Sequence, residues 1–312
     1  MISQNCNIKK VEGNEYKAIL LDLDVKIRYQ KFEKKDVEPG KKHDSKNQNI
    51  LFIHGLGSSS DRWLDIPEAL STYFHPIVAI DLIGFGGSDK PVTIDYTIEY
   101  FSNFIRRFID CKEIWRNDDY ESDDDSSSGK TTIVGHSLGG YIAAKVAIQN
   151  KDLIEKLILI DPSGRLKEPT PLLEQYLDAA MNPTFESVKN VFEQMLGNPA
   201  LLSPMLVDGF IKRINLAGAK YAFKSAFEKS TKTHIEPSEL QKIENIPTLI
   251  ICGSADKLIP VANFEEFHEL LKHSELHKVE NAGHAPFSEK PSIVFDMMRR
   301  FLTDKNNDDK KA

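Results

Sequence analysis

The stretch of sequence that decides the fold covers residues 131–147 and reads TTIVGHSLGGYIAAKVA. Its first four residues are β-branched, which is typical of a buried strand, and residues 140–147 are typical of a helix that begins with small side chains. Between them lies the pentapeptide Gly135-His136-Ser137-Leu138-Gly139, whose glycines let neighbouring backbones approach closely. The pattern predicts a serine on a sharp strand-to-helix turn, with its hydroxyl raised above the sheet. The alternative is an ordinary serine in a turn, because short glycine-serine patterns also arise by chance.

A nucleophilic serine needs a histidine that takes its proton, and His284 is the candidate. It lies in Asn281-Ala282-Gly283-His284-Ala285-Pro286, directly after the short alternating run at 276–280. This position predicts a loop just beyond a late strand. The other polar-context histidines are interpreted as surface groups: His43, His75, His234, His268, His273 and His277. His54 is expected to form a local hydrogen bond that holds its own loop.

The acid that orients this histidine is expected to be Asp256, which follows the apolar strand predicted at 248–252. Asp161 is the alternative, because it ends another predicted strand at 157–160 and could approach the same histidine. Either carboxylate could instead cap the helix that follows it.

An oxyanion formed on the substrate needs hydrogen-bond donors, each worth roughly 3 kcal/mol of transition-state stabilisation. One donor is expected to be the N–H of Leu138, directly after the nucleophile. The second is expected from the loop after the strand at 51–53, where Leu56 is preferred and Gly57 is the alternative.

Five stretches give the chain a specific resemblance to the α/β-hydrolase superfamily, in the branch of small serine esterases, lipases and carbon–carbon bond hydrolases. They are His54-Gly55-Leu56-Gly57, Asp81-Leu82-Ile83-Gly84-Phe85-Gly86-Gly87-Ser88, Gly135-His136-Ser137-Leu138-Gly139-Gly140, Gly253-Ser254-Ala255-Asp256 and Gly283-His284. The resemblance spans nearly the whole chain. It implies an α/β fold with a mostly parallel central sheet flanked by helices, and a triad of Ser137, Asp256 and His284. Their order along the chain is also the order expected of this architecture.

The segment 162–243 has a helical rather than an alternating rhythm, with apolar stripes at 173–181, 188–196 and 221–227. It is predicted to be a helical cap inserted into a core formed by residues 1–161 and 244–312. Most of its apolar side chains are expected to pack, and Met181, Phe192 and Met195 are candidates for the cavity. A second insertion, the acidic stretch 116–130, is predicted to be a disordered loop because it has little to bury.

The composition limits the partners and the cellular compartment expected for the protein. The 312 residues are 40% hydrophobic and carry a net charge of −7, which argues against nucleic acid as a main partner. No signal peptide, membrane-spanning segment, metal site or cofactor site is predicted. The three cysteines, Cys6, Cys111 and Cys252, lack metal-ligand spacing and are interpreted as reduced thiols, which predicts a cytoplasmic protein.

The function expected from these patterns is that of a serine hydrolase acting on small, fairly apolar carboxylic esters through an acyl-enzyme. Its partner would be a small ester, no cofactor is needed, and the oligomeric state stays open. Two alternatives are a carbon–carbon bond hydrolase or a monoacylglycerol lipase. A further alternative is a ligand receptor on a hydrolase scaffold, since one fold hosts many functions.

Overall fold

The computed structural model describes residues 6–20, 24–33, 46–116 and 129–304. Within these ranges nine strands form one sheet. The strands are β1 (Cys6–Glu12), β2 (Glu15–Leu20), β3 (Val25–Phe32), β4 (Lys46–Ile53), β5 (Phe74–Ile80), β6 (Thr131–His136), β7 (Ile154–Ile160), β8 (Thr248–Gly253) and β9 (Ser274–Val279).

The strand order across the sheet is β1-β2-β3-β5-β4-β6-β7-β8-β9. Strands β1, β2 and β3 form an antiparallel edge that joins β5, and every pairing from β5 through β4 to β9 is parallel. Parallel strands read as nearly continuous apolar runs because both of their faces are covered, and β6 and β8 are buried throughout. The predicted mostly parallel sheet is confirmed.

Helices cover both faces of the sheet. They are α1 (Ile66–Ser71), α2 (Ile98–Asp110), α3 (Lys112–Trp115), α4 (Leu138–Gln149), α5 (Pro171–Met181), α6 (Phe185–Met195), α7 (Pro204–Ile214), α8 (Ala219–Thr231), α9 (Pro237–Leu240), α10 (Val261–Leu270), α11 (Pro286–Glu289) and α12 (Pro291–Thr303). Strand β4 shows the two layers, because Leu51 and Ile53 join one apolar cluster with α2 and α4 while Ile50 and Phe52 join another with α1 and α12.

The chain between β7 and β8 is helical wherever it is regular, and the name inserted helices is used below for α5 to α8, residues 171–231. These helices occupy the segment for which the sequence predicts a cap. Helix α5 begins at Pro171 after the Thr170 cap, and α7 begins at Pro204 after the Ser203 cap. Proline suits a first helical position because no intrahelical partner is lost there. The sequence patterns predicted α5, α6 and α8 but not α7.

The prediction of three reduced thiols is wrong for two of them. Cys6 on β1 and Cys111 before α3 form a disulfide with their Cα atoms 6.2 Å apart, and Cys252 is a buried free thiol. A reducing compartment is therefore no longer indicated by these cysteines.

Two further predictions concern the acidic loop and membrane-spanning helices. The predicted acidic loop falls mainly on residues 117–128, which lie outside the described residues. Among the helices that the structure does describe, none has the length and apolar character needed to cross a bilayer.

Candidate active site

Ser137 lies on a strained turn between β6 and α4. Its φ of 53° is unusual for a residue with a side chain, and its N–H donates to the carbonyl of Ile160 on β7 at 3.0 Å. The turn leaves no room for side chains on its glycines, because a Cβ on Gly135 would overlap the Gly139 carbonyl and one on Gly139 would overlap the Ile53 carbonyl. The local sequence therefore folds as predicted, and strain of this kind concentrates at functional sites.

His284 and Asp256 meet on the loops that follow β9 and β8. The Nδ1 of His284 donates to Oδ2 of Asp256 at 2.8 Å. The other carboxylate oxygen of Asp256 accepts from the amides of Leu258 at 2.8 Å and Ile259 at 3.0 Å. These amides fix the carboxylate so that one oxygen is left for the imidazole. This leaves the other ring nitrogen of His284 available to accept a proton.

Ser137 lines the same cavity as His284, so the structure brings all three predicted residues to the carboxyl edge of the sheet. Both side chains are largely buried. No hydrogen bond joins the Ser137 hydroxyl to His284 within the described chain. Catalytic hydrogen bonds are often long before substrate binds.

Asp161, the alternative acid, lies beside this pair but does not bond to His284. Its Oδ1 accepts from the N–H of Gly253 at 2.9 Å, and its Oδ2 has no hydrogen-bond partner among the described residues. Complete burial, followed by the neighbouring Asp256 charge, raises the pKa of this carboxyl well above its usual range. The raised pKa favours the protonated form of Asp161 beside the Asp256 carboxylate.

Asp161, Asp256 and His284 could in principle share a metal ion, since their ligand atoms lie within 4.8 Å of one another. The hydrogen bond between His284 Nδ1 and Asp256 Oδ2 already engages two of those atoms. The donor set therefore fits an oriented imidazole better than a metal centre.

The amides of Leu56 and Leu138 are available as oxyanion donors. Neither N–H donates a hydrogen bond within the parts of the chain that the structure describes, and the same holds for Gly57. Leu138 opens α4, where the first amides have no intrahelical acceptor. The Leu56 carbonyl accepts the hydroxyl of Tyr176 on α5 at 3.0 Å, so an inserted helix holds this loop.

Two further histidines form hydrogen bonds to the backbone of loops at the site. Nδ1 of His54 donates to the Gly55 carbonyl at 2.7 Å, and its Nε2 accepts from the Leu82 amide at 3.0 Å. This is the local hydrogen bond that the sequence predicts. His136, which sequence reasoning left without a role, donates from Nε2 to the backbone carbonyl of His284 at 2.7 Å. Burial lowers the pKa of both rings, so each stays neutral while it holds a loop of the site.

The cavity above Ser137 has a volume of about 850 Å³, part of which is open to solvent. Its mostly apolar lining with a few polar groups suits a small-molecule site. The inserted helices supply much of its wall, including Phe192 and Met195 as predicted, whereas Met181 does not line it. Sequence reasoning gave no role to the two charged lining residues, Arg62 and Arg213.

A strained serine at a strand-to-helix turn, an oriented imidazole and free amides above a mostly parallel sheet define the class of α/β hydrolases. Residues 48–291 match the family described as alpha/beta hydrolase fold, and the chain belongs to that family.

Its relatives include enzymes with different substrates. Lipase 3 of Moraxella sp. is 25% identical over 77% of this chain and 72% of its own length. The 2-hydroxy-6-oxo-6-(2'-aminophenyl)hexa-2,4-dienoic acid hydrolase of Metapseudomonas resinovorans is 23% identical over 83% of this chain and 85% of its own. Among solved structures, the meta-cleavage product hydrolase of Pseudomonas fluorescens IP01 superposes with a TM-score of 0.76 at 20% identity, covering 91% of this chain and 96% of that one. At such identities the structural likeness concerns the fold.

Proposed function

We propose that this hydrolase cleaves small carboxylic esters with a largely apolar body through an acyl-enzyme on Ser137. The observation that carries the proposal is the 2.8 Å hydrogen bond between His284 and Asp256 at the cavity that Ser137 lines. The inserted helices act as a cap that shapes the pocket.

In the first half-reaction His284 takes the proton of the Ser137 hydroxyl while the oxygen attacks the ester carbonyl. The amides of Leu138 and Leu56 hold the resulting oxyanion, and Asp256 stabilises the imidazolium and fixes its tautomer. Collapse of the intermediate breaks the ester C–O bond, and the alcohol leaves with the proton from His284.

In the second half-reaction water attacks the acyl-enzyme carbonyl while His284 takes one of its protons. The second tetrahedral intermediate releases the acid, and the same proton returns to Ser137. His284 passes on each proton that it accepts within the same half-reaction, so the two steps need no further acid or base.

The decisive experiment is labelling with a fluorophosphonate, followed by peptide mapping and steady-state hydrolysis of short p-nitrophenyl esters. We expect label on Ser137 and a loss of at least about a thousandfold in kcat for Ser137→Ala. Ser238→Ala, which removes an exposed hydroxyl from α9, is the matched control and should behave as wild type. Turnover that survives Ser137→Ala would refute the proposal.

The same assay separates the alternatives by comparing p-nitrophenyl esters, monoacylglycerols and vinylogous diketones. A preference for the diketones would indicate carbon–carbon bond hydrolysis. Absence of both label and turnover would favour a receptor on this scaffold.

A further inference from the structure

Two arginines from distant parts of the chain line the cavity together with Ser137 and His284. Arg62 lies on the 3-10 turn Ser60–Trp63 and Arg213 lies on α7. The turn is rigid, because the Ser60 amide donates to the buried Asp81 carboxylate at 2.6 Å. One cation thus comes from the core and the other from an inserted helix.

Neither guanidinium has a partner. Within the described residues no side-chain hydrogen bond or ion pair involves Arg62 or Arg213, and the Nε of Arg213 is buried and unbonded. Buried polar groups and charges normally find partners, because leaving them unmade costs free energy. Two such groups at one cavity therefore indicate that their partner is a ligand.

The one acidic group that acts on Arg62 does not supply that partner. Glu289 is close enough to influence Arg62, but its carboxylate accepts from the amides of Gly283 at 2.7 Å, Asn198 at 3.1 Å and Gly197 at 3.3 Å. Its oxygens hold the His284 loop against the end of α6 instead of neutralising the arginines.

The two arginines also act on each other. Burial, with a smaller contribution from Arg213, lowers the pKa of Arg62 to about 10, so it remains charged at neutral pH. Arg213 lines the same cavity as Leu56 and Gly57, and its charge adds to burial in lowering the pKa of His54. The cavity therefore holds two like charges whose repulsion an anion would relieve.

We propose that Arg62 and Arg213 form an anion subsite, and that the substrate is an amphiphilic ester carrying a carboxylate or phosphate group away from its scissile carbonyl. Guanidinium groups bind both anions through paired N–H donors. The apolar body of the substrate would contact Leu173, Phe192, Met195, Leu202 and Leu206. This inference rests on the proposed ester hydrolysis and adds an anionic group to the small, fairly apolar ester expected from the sequence.

The test compares mono-p-nitrophenyl adipate, which ends in a carboxylate, with its neutral methyl ester. We expect wild type to prefer the anionic ester in kcat/KM, and Arg62→Gln and Arg213→Gln each to reduce this preference about tenfold or more. Lys212→Gln removes a positive charge from the exposed position next to Arg213 and should keep the preference. A third ester ending in a phosphate monoester distinguishes the two anion chemistries.

A binding measurement tests the anion subsite independently of ester hydrolysis. In Ser137→Ala, monoethyl adipate should bind more tightly than diethyl adipate by calorimetry, and the difference should vanish when both arginines are replaced by glutamine. Each single glutamine variant should also have a higher Tm than wild type, since it removes one of two repelling, partly buried charges.

Equal kcat/KM for the two p-nitrophenyl esters, or a preference that survives the double substitution, would overturn the anion subsite while ester hydrolysis stands. If Ser137→Ala binds the monoethyl ester selectively but wild type hydrolyses none of the p-nitrophenyl esters, the anion subsite stands and the proposed reaction is refuted.

Discussion

Asp161 places a second carboxyl beside the pair that Asp256 forms with His284. It is fully buried, and its raised pKa means that the folded protein holds its proton more tightly than the unfolded chain does. Asn is nearly isosteric with a neutral carboxyl and keeps an oxygen for the Gly253 amide. We expect Asp161→Asn to keep most of the activity, whereas Asp256→Asn should lower kcat by about ten-thousandfold because the imidazole tautomer is lost.

The sign of the pH effect follows from the same shift. Because the folded-state pKa of Asp161 is raised, its contribution to stability is present below the unfolded value near 3.8 and is lost as pH rises toward the folded value. Asp161→Asn removes this loss of stability at rising pH. Thermal melts from pH 4 upward should therefore show a growing Tm advantage of the variant over wild type. A variant less stable than wild type at every pH would contradict a neutral Asp161.

The residues that sequence reasoning located share one property. Ser137, Asp256 and His284 each lie on the turn or loop that follows a strand, respectively β6, β8 and β9, so the parallel strands bring them to one edge of the sheet. Arg62 and Arg213 have no such local signal. Their meeting depends on the orientation of α7 over the core, which no spacing along the chain encodes.

Helix α5 connects the cavity wall to the loop that carries Leu56 through one hydrogen bond. The Tyr176 hydroxyl donates to the Leu56 carbonyl, and its ring packs with Phe210 of α7 and Phe223 of α8. We expect Tyr176→Phe to lower kcat several-fold more than it raises KM, because the Leu56 amide is then aimed less well at the oxyanion.

Tyr221→Phe is the matched control for this prediction. Tyr221 lies on α8 and its hydroxyl also donates to a backbone carbonyl, that of Ile94, at 3.0 Å, but it is 40% exposed and does not line the cavity. Each change should cost about 1 kcal/mol of stability or less. Equal kcat values for the two variants would show that Tyr176 stabilises the helix packing without positioning the loop.

The inserted helices also show which element signals can be recognised in a sequence. Helix α6 begins with a capping box at Thr184 and Ser187, after which its apolar residues recur at helical spacing. Helix α7 has an equally clear start at Ser203 and Pro204. Its stripe was missed because Met205 and Leu206 lie beside each other while the first of them is 80% exposed, which blurs the apolar periodicity.

At the scale of the whole molecule, the antiparallel edge formed by β1, β2 and β3 is fastened to the helical layer by a covalent bond. Strand β1 carries Cys6, and Cys111 lies between α2 and α3, so the disulfide links residues 105 positions apart. Spacing alone does not reveal such a pair, because which cysteines meet depends on the position of the edge strand.

The disulfide should stabilise the fold mainly by restricting the unfolded chain. Disulfides typically contribute about 2–4 kcal/mol to the free energy of unfolding. We expect the double variant Cys6→Ser and Cys111→Ser to lose that amount in urea denaturation. Reducing agent should lower the midpoint of wild type and leave the double variant unchanged. Alkylation of the denatured, unreduced protein should modify Cys252 alone. Modification of Cys6 and Cys111 under those conditions would contradict the pairing and restore the interpretation of three reduced thiols.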